Sequence, residues 1–198
     1  MTNRFWSALA TGLGACVALP LAAANLLVNP GFDSNSTGWT FQTAGAGAGA
    51  GWVAGIGRGG TDGISLFANF TGDSSFVRQC VNTSASVLDA HIYGKLHATS
   101  NFRYYGEASV SAFTQANCGG GYAGNAVATP HLLDDGWVLY RIDGMQTPAA
   151  TQSVMFIAGA TGDHGTVTLH WDDAALGPAG TTGVPPRPAN LLLNPDFA

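Results

Sequence analysis

Thr166-Val-Thr-Leu-His-Trp171 decides the fold. Apolar and polar residues alternate one for one: Val167, Leu169 and Trp171 against Thr166, Thr168 and His170. A period of two belongs to a strand with one face buried and the other toward solvent, and a helix would need 3.6. On this pattern His170 points outward. Glu107-Ala-Ser-Val-Ser-Ala-Phe113 repeats it, with Ala108, Val110 and Ala112 on one face and Glu107, Ser109, Ser111 and Phe113 on the other. Trp137–Ile142 and Ser153–Ala158 read as further strands, bounded by Asp-Gly and Thr-Gly turn signals. Short strands at such spacing imply a sandwich or barrel. An α/β fold would need helical stretches between them, and none of convincing length is present.

Composition agrees. Charged residues make up 10% of the chain while glycine numbers 28, a balance that suits strands and turns better than a charged helical bundle. At the N-terminus, Arg4 precedes an apolar run from Phe5 to Leu21 that ends in Ala22-Ala23-Ala24. Basic, apolar and small residues in that order are the layout of a secretory signal, cleaved after Ala24. Pro20 interrupts the run and argues against a membrane span. Leu13-Gly14-Ala15-Cys16 offers a rival reading, lipid anchoring through Cys16. Removing 24 of the 198 residues leaves 174, one domain's worth. Six Lys and Arg then face twelve Asp and Glu, since Arg4 of the seven departs. Nucleic acid is a poor partner for such a chain, because phosphates require clustered cations. No basic amphipathic stretch suggests a membrane surface. Cys80 and Cys118 remain, an even pair in an oxidising compartment, and read as a disulfide. Without CxxC or HxxxH spacing they do not suggest zinc.

Residues 44–60, AGAGAGAGWVAGIGRGG, are low in complexity. They contain GxGxxG at 55–60, but outside any strand-to-helix context that pattern means little, and a flexible surface loop is expected. The tail repeats the head: Ala24-Asn-Leu-Leu-Val-Asn-Pro-Gly-Phe32 returns as Ala189-Asn-Leu-Leu-Leu-Asn-Pro-Asp-Phe197. A Gly-, Pro- and Thr-rich stretch precedes the second copy, so residues 179–188 read as a linker. Two explanations stand. Residues 189–198 begin a second module, or they are a spare strand that pairs with a neighbouring molecule.

Taken together, NLLVNPGFD at 25–33, Gly38-Trp39, RQCV at 78–81, NCGGG at 117–121, Trp137 and HWDDAAL at 170–176 resemble the jelly-roll carbohydrate-binding modules of the family 4 and family 9 type, within the galactose-binding-like superfamily. The resemblance covers residues 25–178 and implies a jelly-roll β-sandwich of two antiparallel sheets. It also implies a structural calcium where the opening loop meets the last strand. The matching residues are Gly31 through its carbonyl, Asp33 and Asp172, with Asp62 as a further carboxylate. Calcium takes six to eight oxygens of this mixed kind. Asp172, sharing a strand face with Ala174 and Leu176, is expected to point inward, where a carboxylate needs a partner or a metal. The competing account has Asp33 capping a turn and Asp172 accepting backbone N–H bonds.

The resemblance further implies a glycan site built from aromatic rings and nearby polar groups. Trp39, Trp137 and Trp171 are better explained as core anchors. Trp52, Tyr104, Tyr105 and Tyr122 are the candidate platforms, and Arg103 and Gln115 the candidate partners for hydroxyls. An enzyme is not expected. Glycoside hydrolysis wants two carboxylates across a cleft, and the only glutamate is Glu107, on a solvent-facing position. Asp134-Asp135, Asp163-His164 and His170 read as turn or surface residues. No GxSxG, HExxH or Cys–His signature appears. Two non-catalytic functions remain: a secreted protein that binds polysaccharide, or an extracellular adhesive subunit that self-associates through the repeated C-terminal strand.

Overall fold

Val87-Leu-Asp-Ala-His-Ile-Tyr-Gly-Lys-Leu96 carries the clearest alternation in the chain, and it forms the longest strand. Leu88, Ala90, Ile92, Gly94 and Leu96 are buried while Asp89, His91, Tyr93 and Lys95 lie on the opposite face. A computed structural model describes residues 25–99, 104–128, 136–162 and 165–183. The signal and lipidation readings, Arg103, Asp134-Asp135, Asp163-His164, residues 184–188 and the repeat at 189–198 lie outside the described residues.

Ten strands form: β1 (Thr40–Ala44), β2 (Ala48–Val53), β3 (Gly63–Ala68), β4 (Ser74–Asn82), β5 (Val87–Thr99), β6 (Tyr104–Phe113), β7 (Tyr122–Ala128), β8 (Trp137–Gln146), β9 (Ser153–Gly162) and β10 (Val167–Pro178). They make two five-stranded sheets, β1-β4-β9-β6-β7 and β2-β3-β10-β5-β8. Every pairing is antiparallel. This is the jelly-roll β-sandwich that the resemblance implied.

The core fills the space between the sheets. Trp171 and Tyr140 meet at 4.7 Å between ring centroids, and Trp39 bridges Phe32 at 4.9 Å and Phe156 at 6.0 Å. Gly94 makes room for the first pair, because a Cβ there would stand 2.7 Å from Tyr140 and 2.8 Å from Trp171. Trp39 and Trp171 are therefore the expected core anchors. Trp137 is not one. It opens the edge strand β8 and is half-buried, because an edge position has no second neighbour to cover it.

The glycine run is not a loose loop. It supplies the end of β1, the crossing between sheets and all of β2 up to Trp52. Its glycines leave space for other side chains. A Cβ on Gly45 or Gly47 would collide with the Asp73 carboxylate, and one on Gly49 would lie 2.0 Å from the Phe67 ring. Small size, rather than flexibility, explains the composition there.

The opening segment docks along β10. The Asn25 amide donates to the Ala174 carbonyl (3.0 Å) and its oxygen accepts from Leu176 N–H (3.1 Å). Leu26 N–H donates to the Leu176 carbonyl (2.8 Å), and Ala174 N–H to that of Pro30 (2.9 Å). Leu27 and Phe32 are buried beneath. Just past the same end of β10, Ala179 N–H donates to the Val87 carbonyl and Gly180 N–H to the Asp89 carboxylate.

Candidate functional site

Across the middle of the first sheet, Gly159 of β9 pairs with Phe76 on one side and Glu107 on the other. The glycine decides what lies over it. A Cβ there would stand 2.6 and 2.7 Å from Phe76 ring carbons and 3.6 Å from Glu107 Cγ. The Phe76 ring therefore lies across the central strand, its far side toward solvent, with the Glu107 carboxylate beside it. The next row of the face is Arg78, Ile157 and Ser109. Neither Arg78 nor Glu107 forms an ion pair among the described residues. Phe76, Arg78 and Glu107 are all half-buried, so Glu107 is on the outward face as expected but is not fully solvated.

The outer face of the second sheet is different in kind. Arg58 packs 3.9 Å over the Tyr93 ring and pairs with Asp173 at 2.7 Å. Arg141 pairs with Asp143. His91 sits among these groups, and burial lowers its pKa; Asp173 opposes that shift while Arg141 and Arg58 add to it. Arg58 and Arg141 are thus each engaged by an aspartate, whereas Lys95 on the same face forms no ion pair among the described residues. His170 belongs to the same face, but it is only 8% exposed rather than open to solvent, because His97 stacks on it at 4.3 Å. Burial lowers its pKa to about 4, with His97 and Lys95 adding to the depression.

Asp172 shows why alternation alone misplaced a side chain. The β10–β5 register breaks between Asp172 and Ala175, and Asp173 takes φ 52°. The bulge restarts the alternation. Asp172 thus sits opposite Tyr93, on the outer side, while Ala174 and Leu176 point to the core. It is nevertheless 0% exposed, because the turn at 57–61 folds over it. Arg58 N–H (2.7 Å) and Thr61 Oγ1–H (2.8 Å) donate to Oδ2, and Asp173 N–H (2.7 Å) donates to Oδ1. Burial raises its pKa and these donors oppose the rise. Gly57 is obligatory beneath it, since a Cβ would stand 2.5 Å from Asp172 Oδ2 and 2.2 Å from the Asp62 carbonyl.

Gly31, Asp33, Asp62 and Asp172 do converge on one end of the sandwich. Ser34 N–H and Gly55 N–H both donate to the Asp62 carboxylate at 3.0 Å. Asp33, exposed, folds back over Gly31. Each buried oxygen of Asp172 already has donors, which is the competing account of that residue. Among the described residues no group of three or more acidic, histidine or cysteine side chains is placed to hold a metal ion. Asp62 and Asp172 thus have protein donors in place, while the Asp33 carboxylate is open to solvent.

The candidate platforms are not gathered at one spot. Trp52, next to last in β2 of the second sheet, packs partly against the core and donates its indole N–H to the Phe32 carbonyl (2.8 Å). It clamps the opening loop and is no open platform. Tyr104 and Tyr105 open β6 opposite Gly162 and Thr161. Tyr122 opens β7 opposite Phe113, at the far end of the same strand, and is 61% exposed. Gln115 is exposed in the turn before it. Phe76 went unnoticed in the sequence, because its role depends on a glycine in a strand 83 residues away. Cys80 and Cys118 are joined, with Cα atoms 6.0 Å apart.

No family model matches the chain, and no curated protein matches it in sequence. Solved structures match it in shape. The enzymatically active domain of bacteriophage CBA120 tailspike protein 4 superposes with a TM-score of 0.60 at 12% identity, over 77% of this chain and 21% of that one. A CBM61 module solved with β-1,4-galactotriose gives 0.53 at 15% identity, over 78% of this chain and 99% of the module. The CBM22-1 xylan-binding domain of Paenibacillus barcinonensis Xyn10C gives 0.53 at 15%, over 78% and 94%. The likeness is one of fold. This β-sandwich is the architecture of those carbohydrate-binding modules, each matched nearly end to end, whereas the chain spans about a fifth of the tailspike domain. The family 4 and family 9 assignment is not among these matches. Among the described residues no helix is long and apolar enough to cross a membrane.

Proposed function

We propose that the chain is a secreted, non-catalytic glycan-binding module that holds polysaccharide on the outer face of its β1-β4-β9-β6-β7 sheet. One observation carries the reading: the Phe76 ring laid over Gly159 in the centre of that face, with Glu107 and Arg78 beside it and neither of them ion-paired among the described residues. A ring with one side against the sheet and the other toward solvent suits the apolar face of a pyranose or xylose ring. The adjacent carboxylate and guanidinium suit its hydroxyls. The opposite face is a weaker candidate, because both of its arginines are already paired with aspartates. Shape likeness to galactan- and xylan-binding modules supports the same class of ligand. Glu107 is the one carboxylate on the proposed face among the described residues, and hydrolysis would need two. Protein beginning at Asn25 should bind a member of a panel of β-1,4-galactan, xylan, β-glucan and mannan. Phe76→Ala should weaken that binding at least tenfold and Glu107→Gln by less. Equal retention of wild type and Phe76→Ala would remove the ring from the site.

A structural calcium at Gly31, Asp33, Asp62 and Asp172 is a separate proposal. It draws support from the convergence of the opening loop, the Asp62 turn and Asp172 at one end. A melting temperature indifferent to chelator would end it. A self-associating role is favoured by one further fact: the first copy of the repeated segment provides the docking contacts along β10. The second copy keeps their Asn, Leu, Pro and Phe as Asn190, Leu192, Pro195 and Phe197. Identical monomeric sedimentation with and without residues 189–198 would exclude strand exchange.

A further inference from the structure

We propose that the turn joining β6 to β7, with Tyr122 at its exit, is an end subsite for one more sugar of a glycan already lying on the Phe76 face; the inference rests on that reading. Position comes first. Tyr122 pairs with Phe113, which pairs with Ser153 of β9. Phe76 lies over Gly159, six residues along the same strand. At about 3.4 Å per residue the two aromatic groups are roughly 20 Å apart along the strand, more than one sugar can span. Only a chain of several units would touch both.

Rigidity comes second. The turn at 114–121 is held by far more contacts than a connection of its length requires. Cys118 is bonded to Cys80 of β4. Asn117 N–H donates to Asn82 Oδ1 (2.7 Å), and Asn82 Nδ2–H returns a bond to Asn117 Oδ1 (3.2 Å). Cys118 N–H donates to Ser153 Oγ (2.9 Å), whose hydroxyl donates to the Gln115 carbonyl. Thr114 and Gly121 are bonded to each other in both directions. These contacts hold two consecutive non-glycine residues, Asn117 and Cys118, at φ 58° and 55°. Strain kept in place by surrounding bonds is a mark of a pre-organised surface, and pre-organisation lowers the ordering cost of binding.

Chemistry comes third. Tyr122 is 61% exposed, and its ring stands edge-on to Phe113 at 6.4 Å, which fixes its attitude. The amides of Gln115 and Asn125 are exposed on either side of it in sequence. No charged residue occurs between Ala108 and Ala128. Aromatic and amide groups without charge suit a neutral hexose or pentose unit.

The test is titration calorimetry with β-1,4-galacto- and xylo-oligosaccharides of two to six units, on the chain from Asn25. Wild-type affinity should rise with length. Tyr122→Ala should lose roughly five- to tenfold on the longest chains, the worth of one aromatic contact, and nothing on the shortest. Cys80→Ser with Cys118→Ser should do the same by loosening the turn, and Asn82→Ala serves if that pair does not fold. Phe76→Ala should lose affinity at every length. If Tyr122→Ala keeps the wild-type length dependence while Phe76→Ala loses binding, the subsite is wrong and the open face stands. If Phe76→Ala changes nothing, the open face itself is wrong.

Discussion

Acid should destabilise this fold through His170 before most carboxylates titrate. The ring is 8% exposed and stacked 4.3 Å from His97, with Lys95 on the neighbouring strand, and its pKa falls from about 6.5 to about 4. The folded state therefore refuses a proton that the unfolded chain accepts. Stability is fully present above pH 6.5 and is lost as the pH falls toward 4, because the unfolded chain binds more protons throughout that window. A depression of about 2.5 units at about 1.4 kcal/mol each gives an upper bound of about 3.4 kcal/mol. His91 is depressed too and adds in the same direction, whereas Asp172, raised by burial, contributes the opposite slope. A difference measurement isolates the one group. Urea unfolding of wild type and His170→Gln should be followed by far-ultraviolet circular dichroism from pH 7.5 to 4.5. The mutant should be less stable at pH 7.5, through lost packing. Its disadvantage should shrink by about 2 kcal/mol or more at pH 4.5, a shift of order one molar in the urea midpoint. Parallel pH profiles for the two proteins would refute the reasoning.

Asp172→Ala strips the acceptor from three donors at once, and should cost about 3 kcal/mol after the exposed turn rehydrates, or about 6–12 °C in melting temperature. If calcium is bound there, chelator should lower the wild-type melting temperature and leave the mutant's alone; a wild type indifferent to chelator rules the ion out. Gly94→Ala should cost about 1–3 kcal/mol by overpacking, since its Cβ would press on Tyr140 and Trp171 at 2.7 and 2.8 Å. Wild-type stability in urea for that variant would mean the ring pair can yield.

The strand pattern was legible wherever alternation ran unbroken. β6, β9 and the start of β10 were read directly, and β5 announces itself equally well in Val87 to Leu96. The disulfide was legible from two cysteines and a compartment. What escaped were features that depend on pairing partners distant in sequence. Asp172 lies before a bulge, and no local pattern says where a strand skips a residue. His170 occupies an outward position that a second histidine covers. Trp52 sits in a glycine run that reads as loose, because composition does not reveal that Phe67, Phe70 and Asp73 fill the space left by absent side chains. Phe76 gains its role only from Gly159. Tyr122 is visible as an aromatic, yet the turn before it is held by Asn82 and Ser153, which come from two other strands.

Glycan should meet the sheet face that carries Phe76. The most direct measurement is calorimetric titration of the best-binding polysaccharide from the panel into wild type, Phe76→Ala on the first sheet, and Phe67→Ala on the second. Phe67 is 39% exposed and gives a matched loss of one ring on the other face. Wild type and Phe67→Ala should bind alike, with Phe76→Ala weaker by tenfold or more. Binding lost on Phe67→Ala and kept on Phe76→Ala, or no binding by folded wild type to any glycan, would contradict it.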